Sequence, residues 1–377
     1  MAKVHITLVG GQRMPVYNGI AATQPDKVVF IYSNSTKSDV EALRKVIACN
    51  IEEQPPLDPT NPILILERAK SLADRFANDE ITLNISGGLK SWSHLFARVF
   101  DSMPNVTVLY IDQNNKLWNY RTMSKQMTVG FDMDAHFRML GNPLEHYTPF
   151  TQYTEEDKKS MDILIAARKY NCGSFNKLTT IMSKEWENKL NQKTGELSLS
   201  EKEYIEWEKP DFVRLALNTK KRGIQEFQIE SPNAVAMAFH TGWFEYKVAR
   251  MLSHWWYAKE IRLNCIFPPQ NAKTTQFPKN EIDIIVNTGT KILFVECKTQ
   301  INQSTDIDKF RTAVKNYGGL GSKALFVTDN VMTDMQKEKC RESGIIIFSL
   351  QDTAVGSNKE QALFGLLEKE LFNINTK

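Results

Sequence analysis

The apolar residues of this chain recur in two rhythms that trade places along its first 140 residues. Val4–Val9, Val28–Tyr32, Ile81–Ile85 and Val106–Ile111 are short, mostly apolar runs bounded by Gly, Ser, Asn or Asp, a pattern that predicts strands. Between them, Ser38–Cys49, Asn61–Phe76 and Ser91–Asp101 carry apolar spacing near 3.6 and predict helices. Strands alternating with helices imply right-handed crossovers and a parallel, doubly wound sheet.

Ligands on such a sheet bind beyond the C-terminal ends of its strands. Here the first strand runs into Gly10-Gly11-Gln12-Arg13, the second into Ser33-Asn34-Ser35-Thr36, and the third into Ser86-Gly87-Gly88-Leu89-Lys90-Ser91. Small residues let a ligand approach the backbone, and hydroxyls with Lys or Arg can hold phosphates. One such loop would read as a tight strand-to-helix turn; three on one sheet edge predict a ligand site. The dinucleotide fingerprint GxGxxG is absent from the first turn. The third loop departs from a P-loop because Leu89 precedes Lys90 and Asn84 stands where the upstream Gly belongs.

Gly141, Pro143, Pro149 and the charged run Glu155-Glu156-Asp157-Lys158-Lys159 suit a linker leading into a helix. Residues 155–218 read as mainly helical, either a small winged-helix module or helices packed between domains. The expected division is a first α/β domain at 1–145, a helical linker or winged-helix-like region at 146–225, and a second α/β domain at 226–377.

In that last segment Asn233 to Trp256 reads as one long helix with Pro232 near its start. A strand (Ile261–Phe267) follows. Glu281–Val286 and Lys291–Thr299 flank Asn287-Thr288-Gly289-Thr290, a strong hairpin signal. Helix (Ile307–Tyr317), strand (Ala324–Val327), helix (Thr333–Ser343) and strand (Ile345–Phe348) complete the pattern. Alternation puts Glu296 and Lys298 on one face of their strand. Closing the hairpin at Thr288-Gly289 sets Glu281 opposite Glu296 and Asp283 opposite Phe294, so that Asp283 and Glu296 are diagonal neighbours about 7–8 Å apart by backbone. Carboxylates converging inside so apolar a hairpin repel one another, and a hard divalent cation such as Mg²⁺ or Mn²⁺ resolves the conflict. Lys298 beside them can orient an attacking water and offset the charge of a phosphorane-like transition state. Glu245 lies on a helix face shared with Thr241, Val248 and Leu252. From there it either approaches this site or sits as an ordinary border glutamate.

Composition narrows the classes without choosing among them. The chain has 377 residues, 42% hydrophobic and 24% charged, as expected of a folded multidomain protein. No apolar run approaches the roughly 20 residues that span a bilayer, and Met1–Ile6 enters a strand pattern without an apolar signal core, which predicts a cytoplasmic protein with no membrane role. The five cysteines are scattered, with no CxxC pair, against both a disulfide framework and a structural zinc site. Net charge is only +3, so any nucleic-acid surface must be local. Lys220-Lys221-Arg222, the densest basic cluster, reads first as a solvated turn.

Asn280-Glu281-Ile282-Asp283 followed by Val295-Glu296-Cys297-Lys298-Thr299 resembles the signature of the PD-(D/E)xK nucleases, without the proline before Asp283. Gly242-Trp243-Phe244-Glu245 resembles that superfamily's helix glutamate. The Gly10-Gly11 loop and Asn84-Ile85-Ser86-Gly87-Gly88-Leu89-Lys90 resemble the CARF domain, a Rossmann-like sensor of cyclic oligoadenylates. Together the two halves resemble the Card and Can effectors of type III CRISPR defence over nearly the whole chain. That resemblance implies a homodimer binding cyclic tetra-adenylate across paired CARF domains, which switches on cleavage of nucleic acid, with single strands favoured. It further implies metal held by Asp283, Glu296 and the backbone carbonyl of Cys297, catalysis by these with Lys298 and Glu245, and activator contacts from Gly10, Gly11, Gln12, Arg13, Ser33, Asn34, Ser86, Gly87, Gly88 and Lys90. A ligand-responsive DNA-binding regulator without nuclease activity is the alternative from another class.

Overall fold

The structure is a computed structural model that describes residues 1–128, 130–180, 183–268, 280–299, 305–319, 321–353 and 356–374. Its first part runs β1 (Lys3–Leu8), α1 (Arg13–Thr23), β2 (Lys27–Ile31), α2 (Lys37–Arg44), β3 (Asn50–Glu53), α3 (Pro62–Arg75), β4 (Glu80–Asn84), α4 (Lys90–Phe100), β5 (Val106–Ile111), β6 (Lys116–Asn119) and β7 (Ser124–Thr128). These strands form one sheet in the order β3-β2-β1-β4-β5-β6-β7. The first five are parallel and the last two return antiparallel. Val4, Ile6 and Leu8 of the central strand pack under α3 and α4 with Trp92, Phe96 and Phe100. On the other face, Val28 and Phe30 of β2 pack with Val16, Ile20 and Leu43 of α1 and α2.

The chain then passes through α5 (Met133–Met139) and β8 (His146–Pro149). Neither closes the first domain. Phe137 of α5 packs its ring 5.1 Å from that of Phe267 and 6.3 Å from that of Phe294, in the second domain's core. β8 pairs with a strand of the second sheet.

Next come α6 (Glu155–Tyr170), α7 (Cys172–Thr179) and α8 (Lys184–Leu190), then β9 (Thr194–Ser200), β10 (Glu203–Glu208), β11 (Phe212–Thr219) and β12 (Gly223–Glu230). The mainly helical reading of residues 155–218 thus fails after α8. Four antiparallel strands in the order β12-β11-β10-β9 occupy residues 194–230. Their outward positions are so heavily charged, as in Glu203–Glu208, that alternation yields few apolar pairs to recognise. Lys220, Lys221 and Arg222 sit at the exposed turn between β11 and β12, as the plain reading expected.

The final part comprises α9 (Ala234–Ala238), α10 (Gly242–Ser253), β13 (Glu260–Phe267), β14 (Asn280–Asn287), β15 (Ile292–Lys298), α11 (Thr305–Tyr317), β16 (Lys323–Thr328), α12 (Asp334–Glu342), β17 (Ile345–Ser349) and α13 (Lys359–Phe372). The expected single helix from Asn233 is two. The chain breaks at Phe239–Thr241, where His240 and Thr241 take φ of 53° and 68°, and Gly242 lets α10 start against the Ala236 carbonyl. The six-stranded sheet runs β17-β16-β15-β14-β13-β8, parallel over β15–β17 and antiparallel elsewhere. One core spans α6, α7, the four-stranded sheet, α10, α13 and one face of this sheet; α5 and α11 cover the other face.

Candidate functional site

The β14–β15 hairpin turns on Gly289-Thr290. Thr288 N–H donates to the Lys291 carbonyl at 3.0 Å, and Gly289 has φ 84°, the first central position where a type II′ turn needs positive φ. Ile284 faces Val295 and Asn287 faces Ile292. Continued by one pair, this register puts Asp283 opposite Glu296. The turn expected at Thr288-Gly289 had put Asp283 opposite Phe294. The difference is two residues of register, and because strand side chains alternate with period two, the facing residues stay on one face. The two carboxylates are therefore direct cross-strand neighbours.

Burial sharpens their conflict. The Asp283 and Glu296 side chains are only 12% and 15% exposed. Cys297 N–H donates to Asp283 Oδ2 at 2.7 Å. Lys298 Nζ lies 2.7 Å from Glu296 Oε1 and 3.8 Å from Asp283 Oδ2. Burial, then the Asp283 charge, pushes the Glu296 carboxyl up to about 7. Burial raises Asp283 as well, against the Lys298 charge and the Cys297 amide. Burial alone would lower the Lys298 ammonium, but Asp283 and Glu296 outweigh it and hold it charged.

Glu245 joins this group from α10. Its carboxyl is raised by burial first, then by Asp283 and Glu281, so it lies within the same electrostatic field; Thr241 Oγ1 donates to its Oε1 at 3.4 Å. Glu281, two residues before Asp283 on the same strand face, is a fourth carboxylate that sequence reasoning did not include in the site. The signal was the period-two spacing that selected Glu296 and Lys298. Cys297 points its thiol into the core beneath α10, so only its backbone is available to the site.

Among the described residues no three Asp, Glu, His or Cys side chains close into a ready metal cage. The chemistry of the donor set nevertheless fits a hard cation. Mg²⁺ keeps several waters and commonly takes only one or two carboxylates, which Asp283 and Glu296 supply.

The loop residues of the first domain also gather at one edge. Gly10 packs against the backbone of Gly88, and a Cβ on Gly87 would fall 2.3 Å from the Leu8 carbonyl oxygen, so the loops after β1 and β4 touch backbone to backbone. Gly11, Gln12, Asn34 and Lys90 are exposed around this contact. Ser86 is committed to structure: its hydroxyl donates to Asn84 Oδ1 at 2.6 Å and accepts from the Ile111 amide at 2.7 Å. Ser33 closes a capping box with Thr36. Arg13 turns from the open edge, pairing with Asp39 at 2.7 Å and donating to the Met139 carbonyl at the end of α5.

Between these loops and the hairpin tip lies a cavity of about 440 Å³, lined by Arg13, Asp112, His136, Lys291 and Gly319 among others. Asn115, in its lining, donates to the Gly289 carbonyl at 2.9 Å. Sequence reading missed this junction, since no local pattern reveals which loops of two domains will meet.

Residues 4–135 match the family model for the Card1 CARF domain. The first domain is a CARF domain. The structure of Can2 from Sulfobacillus thermosulfidooxidans in complex with cyclic tetra-adenylate resembles it over 98% of this chain and 99% of that one, at 17% identity and a TM-score of 0.61. Protein VC1899 from Vibrio cholerae is similar over 97% of this chain and 96% of its own, at 17% identity and a TM-score of 0.65. A type III CRISPR defence DNA nuclease activated by cyclic oligoadenylate matches at 12% identity and a TM-score of 0.55; the match takes in 96% of this chain but half of that protein. At such identities the likeness is one of fold: a Rossmann-like CARF domain followed by a second mixed α/β domain. No curated protein sequence matches the chain. Among the described residues, no helix is long and apolar enough to cross a membrane.

Proposed function

We propose that this chain is a metal-dependent endonuclease of type III CRISPR defence, switched on by cyclic tetra-adenylate and cutting phosphodiesters of DNA or RNA, single strands in preference. The observation that carries this reading is the direct opposition of Asp283 and Glu296 inside an apolar hairpin, with Lys298 between them. Buried like charges at cross-strand distance are retained where a cation or a reaction uses them.

In this reading Asp283, Glu296 and the Cys297 carbonyl hold Mg²⁺ or Mn²⁺. Such a cation supplies Lewis-acid polarisation of the phosphodiester and balances the carboxylates. Lys298, kept as an ammonium by its two partners, donates to the attacking water and to the non-bridging oxygens as negative charge builds. Glu245 orients Lys298 from α10. Activator binding falls to the exposed edge formed by Gly10, Gly11, Gln12, Asn34, Gly87, Gly88 and Lys90, with Ser33, Ser86 and Arg13 shaping it from beneath. Two chains pair through their CARF domains around one ligand, as the resemblance to the Card and Can effectors implies. A DNA-binding regulator without nuclease activity leaves the buried carboxylates with no task.

The test is cleavage of labelled single-stranded DNA and RNA with Mn²⁺, with and without cyclic tetra-adenylate, in the wild type and Glu296→Ala. Cutting that needs the activator and vanishes in the variant supports both halves. Cutting without activator keeps the nuclease and removes the switch. No cutting, with tight binding to duplex DNA, favours the regulator.

A further inference from the structure

The C-terminal ends of β15, β16 and β17 lie side by side. Asp329 N–H, just after β16, donates to the Lys298 carbonyl at 3.3 Å, and Leu350 N–H, just after β17, donates to the Thr328 carbonyl at 2.9 Å. Beyond the β17 end opens a cavity of about 510 Å³ between α10 and the start of α13. Lys247, Arg250 and Lys359 line it. The first two belong to one stripe of α10 that continues through Met251 to His254.

Cations outnumber the acidic groups here. Glu360 is the carboxylate in the lining, 3.2 Å from His254 Nδ1, and faces three cations there. Asp329 is held by Arg168 at 2.6 Å and lies 3.9 Å from Lys247. Lys359 Nζ donates to the Asp352 carbonyl at 2.6 Å, which leaves its full charge uncompensated by that bond. The cavity is thus a concave, net positive surface beyond the end of β17, two strands from Lys298 and Glu296 on β15. Two strand spacings amount to about 10 Å.

We propose that this groove holds the phosphodiester backbone of the nucleic-acid strand on one side of the scissile phosphate, with Arg250 and Lys359 as its principal contacts. The proposal rests on the nuclease reading and extends it from the chemistry to the substrate path. Cations that touch phosphates release counterions, so their contribution has a signature in salt dependence that a purely structural role lacks. Lys247 is tied more closely to Asp329 and contributes mainly potential. A row of cations along the strand ends also sets the direction in which the substrate crosses the sheet, from Asp283 toward α13.

The experiment uses full-length protein with Glu296→Gln to prevent cutting, cyclic tetra-adenylate present, and a fluorescent 20-nucleotide DNA and RNA as separate probes. Arg250→Gln and Lys359→Gln are each expected to weaken binding by about threefold to tenfold. Each should also lower the slope of log affinity against log salt by about 0.7–0.9 for every phosphate that is no longer neutralised. In the cutting-competent protein the same substitutions raise KM and leave kcat within about twofold, the split expected when uniform binding is removed. Lys221→Gln, on the distant β11–β12 turn, leaves all of these unchanged. Unchanged affinity and salt slope in proteins that still melt like the parent overturn the groove while the nuclease stands. A parent that neither binds nor cuts overturns both. A thermal shift with inorganic phosphate that disappears in the double variant, without any change for oligonucleotides, replaces the groove by a small-anion site.

Discussion

Arg13 donates a hydrogen bond to the carbonyl of Met139, joining the first turn of the sensor domain's α1 to the last residue of α5. The rest of α5 belongs to the other domain. His136 Nε2 sits 2.9 Å from the Gly318 carbonyl, so that nitrogen carries the proton, and Arg262 grips Asp134 at 2.6 Å while stacking 4.1 Å over Tyr147. Tyr17 adds a second tie, donating to Asp132 at 2.8 Å. A polyanion on the adjoining loop would compete with Asp39 for the Arg13 guanidinium and so reach α5 through one side chain.

Arg13→Ala is therefore expected to uncouple binding from activation. Affinity for cyclic tetra-adenylate, read by calorimetry, should fall less than about tenfold, since Lys90 and the backbone loops remain. The activator-dependent rise in cleavage should fall at least about tenfold. Equal losses in both measurements would make Arg13 an ordinary ligand contact and leave α5 without this role.

The carboxylate cluster carries an energetic cost that a single substitution should reveal. Glu245 is raised by burial and by Asp283 and Glu281, so its charge opposes folding when no cation is bound. Glu245→Gln is expected to melt higher than the wild type in EDTA, by about 1 kcal/mol of stability. The same variant should gain less from added Mn²⁺ and cut at least about tenfold more slowly. A lower melting temperature in EDTA would show that Glu245 has a structural partner stronger than the repulsion.

Much of this was legible in sequence because it follows local rules. The four principal strands of the first sheet, the hairpin and the Glu296–Lys298 face each came from periodicity, and a register error of two residues left the face intact. β3, Asn-Ile-Glu-Glu, escaped because a short edge strand with polar positions has no apolar rhythm. α1 escaped for a related reason. It begins at Arg13 directly after the loop, buries Asn18 and Gly19, and shows little amphipathic contrast. The long-range facts were out of reach: α5 joining the second core, Asn115 reaching Gly289 and the cations meeting beside β17 all depend on which surfaces dock.

The loop glycines differ in what they tolerate, and the difference separates packing from ligand contact. A Cβ at Gly87 would sit 2.3 Å from the Leu8 carbonyl oxygen, a backbone atom that cannot move aside, whereas a Cβ at Gly11 meets nothing within 4 Å. Gly87→Ala should cost about 1–3 kcal/mol of stability through overpacking and weaken the activator by disturbing the loop. Gly11→Ala should melt like the wild type, so that any loss of cyclic tetra-adenylate affinity there reports ligand contact directly. A Gly87→Ala protein with unchanged melting and affinity would show the loop to be looser than this packing.

His5 supplies a pH dependence independent of the nuclease chemistry. It is fully buried on the central strand, with Nδ1 2.8 Å from Thr23 Oγ1, and burial lowers it from 6.5 to about 3. Between those values the unfolded chain binds a proton that the folded chain refuses, so stability rises with pH and is lost as pH falls below about 6.5. At pH 5 the loss is about 2 kcal/mol, from 1.36 kcal/mol per pH unit over 1.5 units. His5→Gln removes the titrating group while keeping a polar side chain near Thr23. Denaturant midpoints measured from pH 7 to pH 4.5 should fall less steeply for the variant by about that amount. Parallel curves for the two proteins would mean that the carboxylates, rather than His5, set the acid limit.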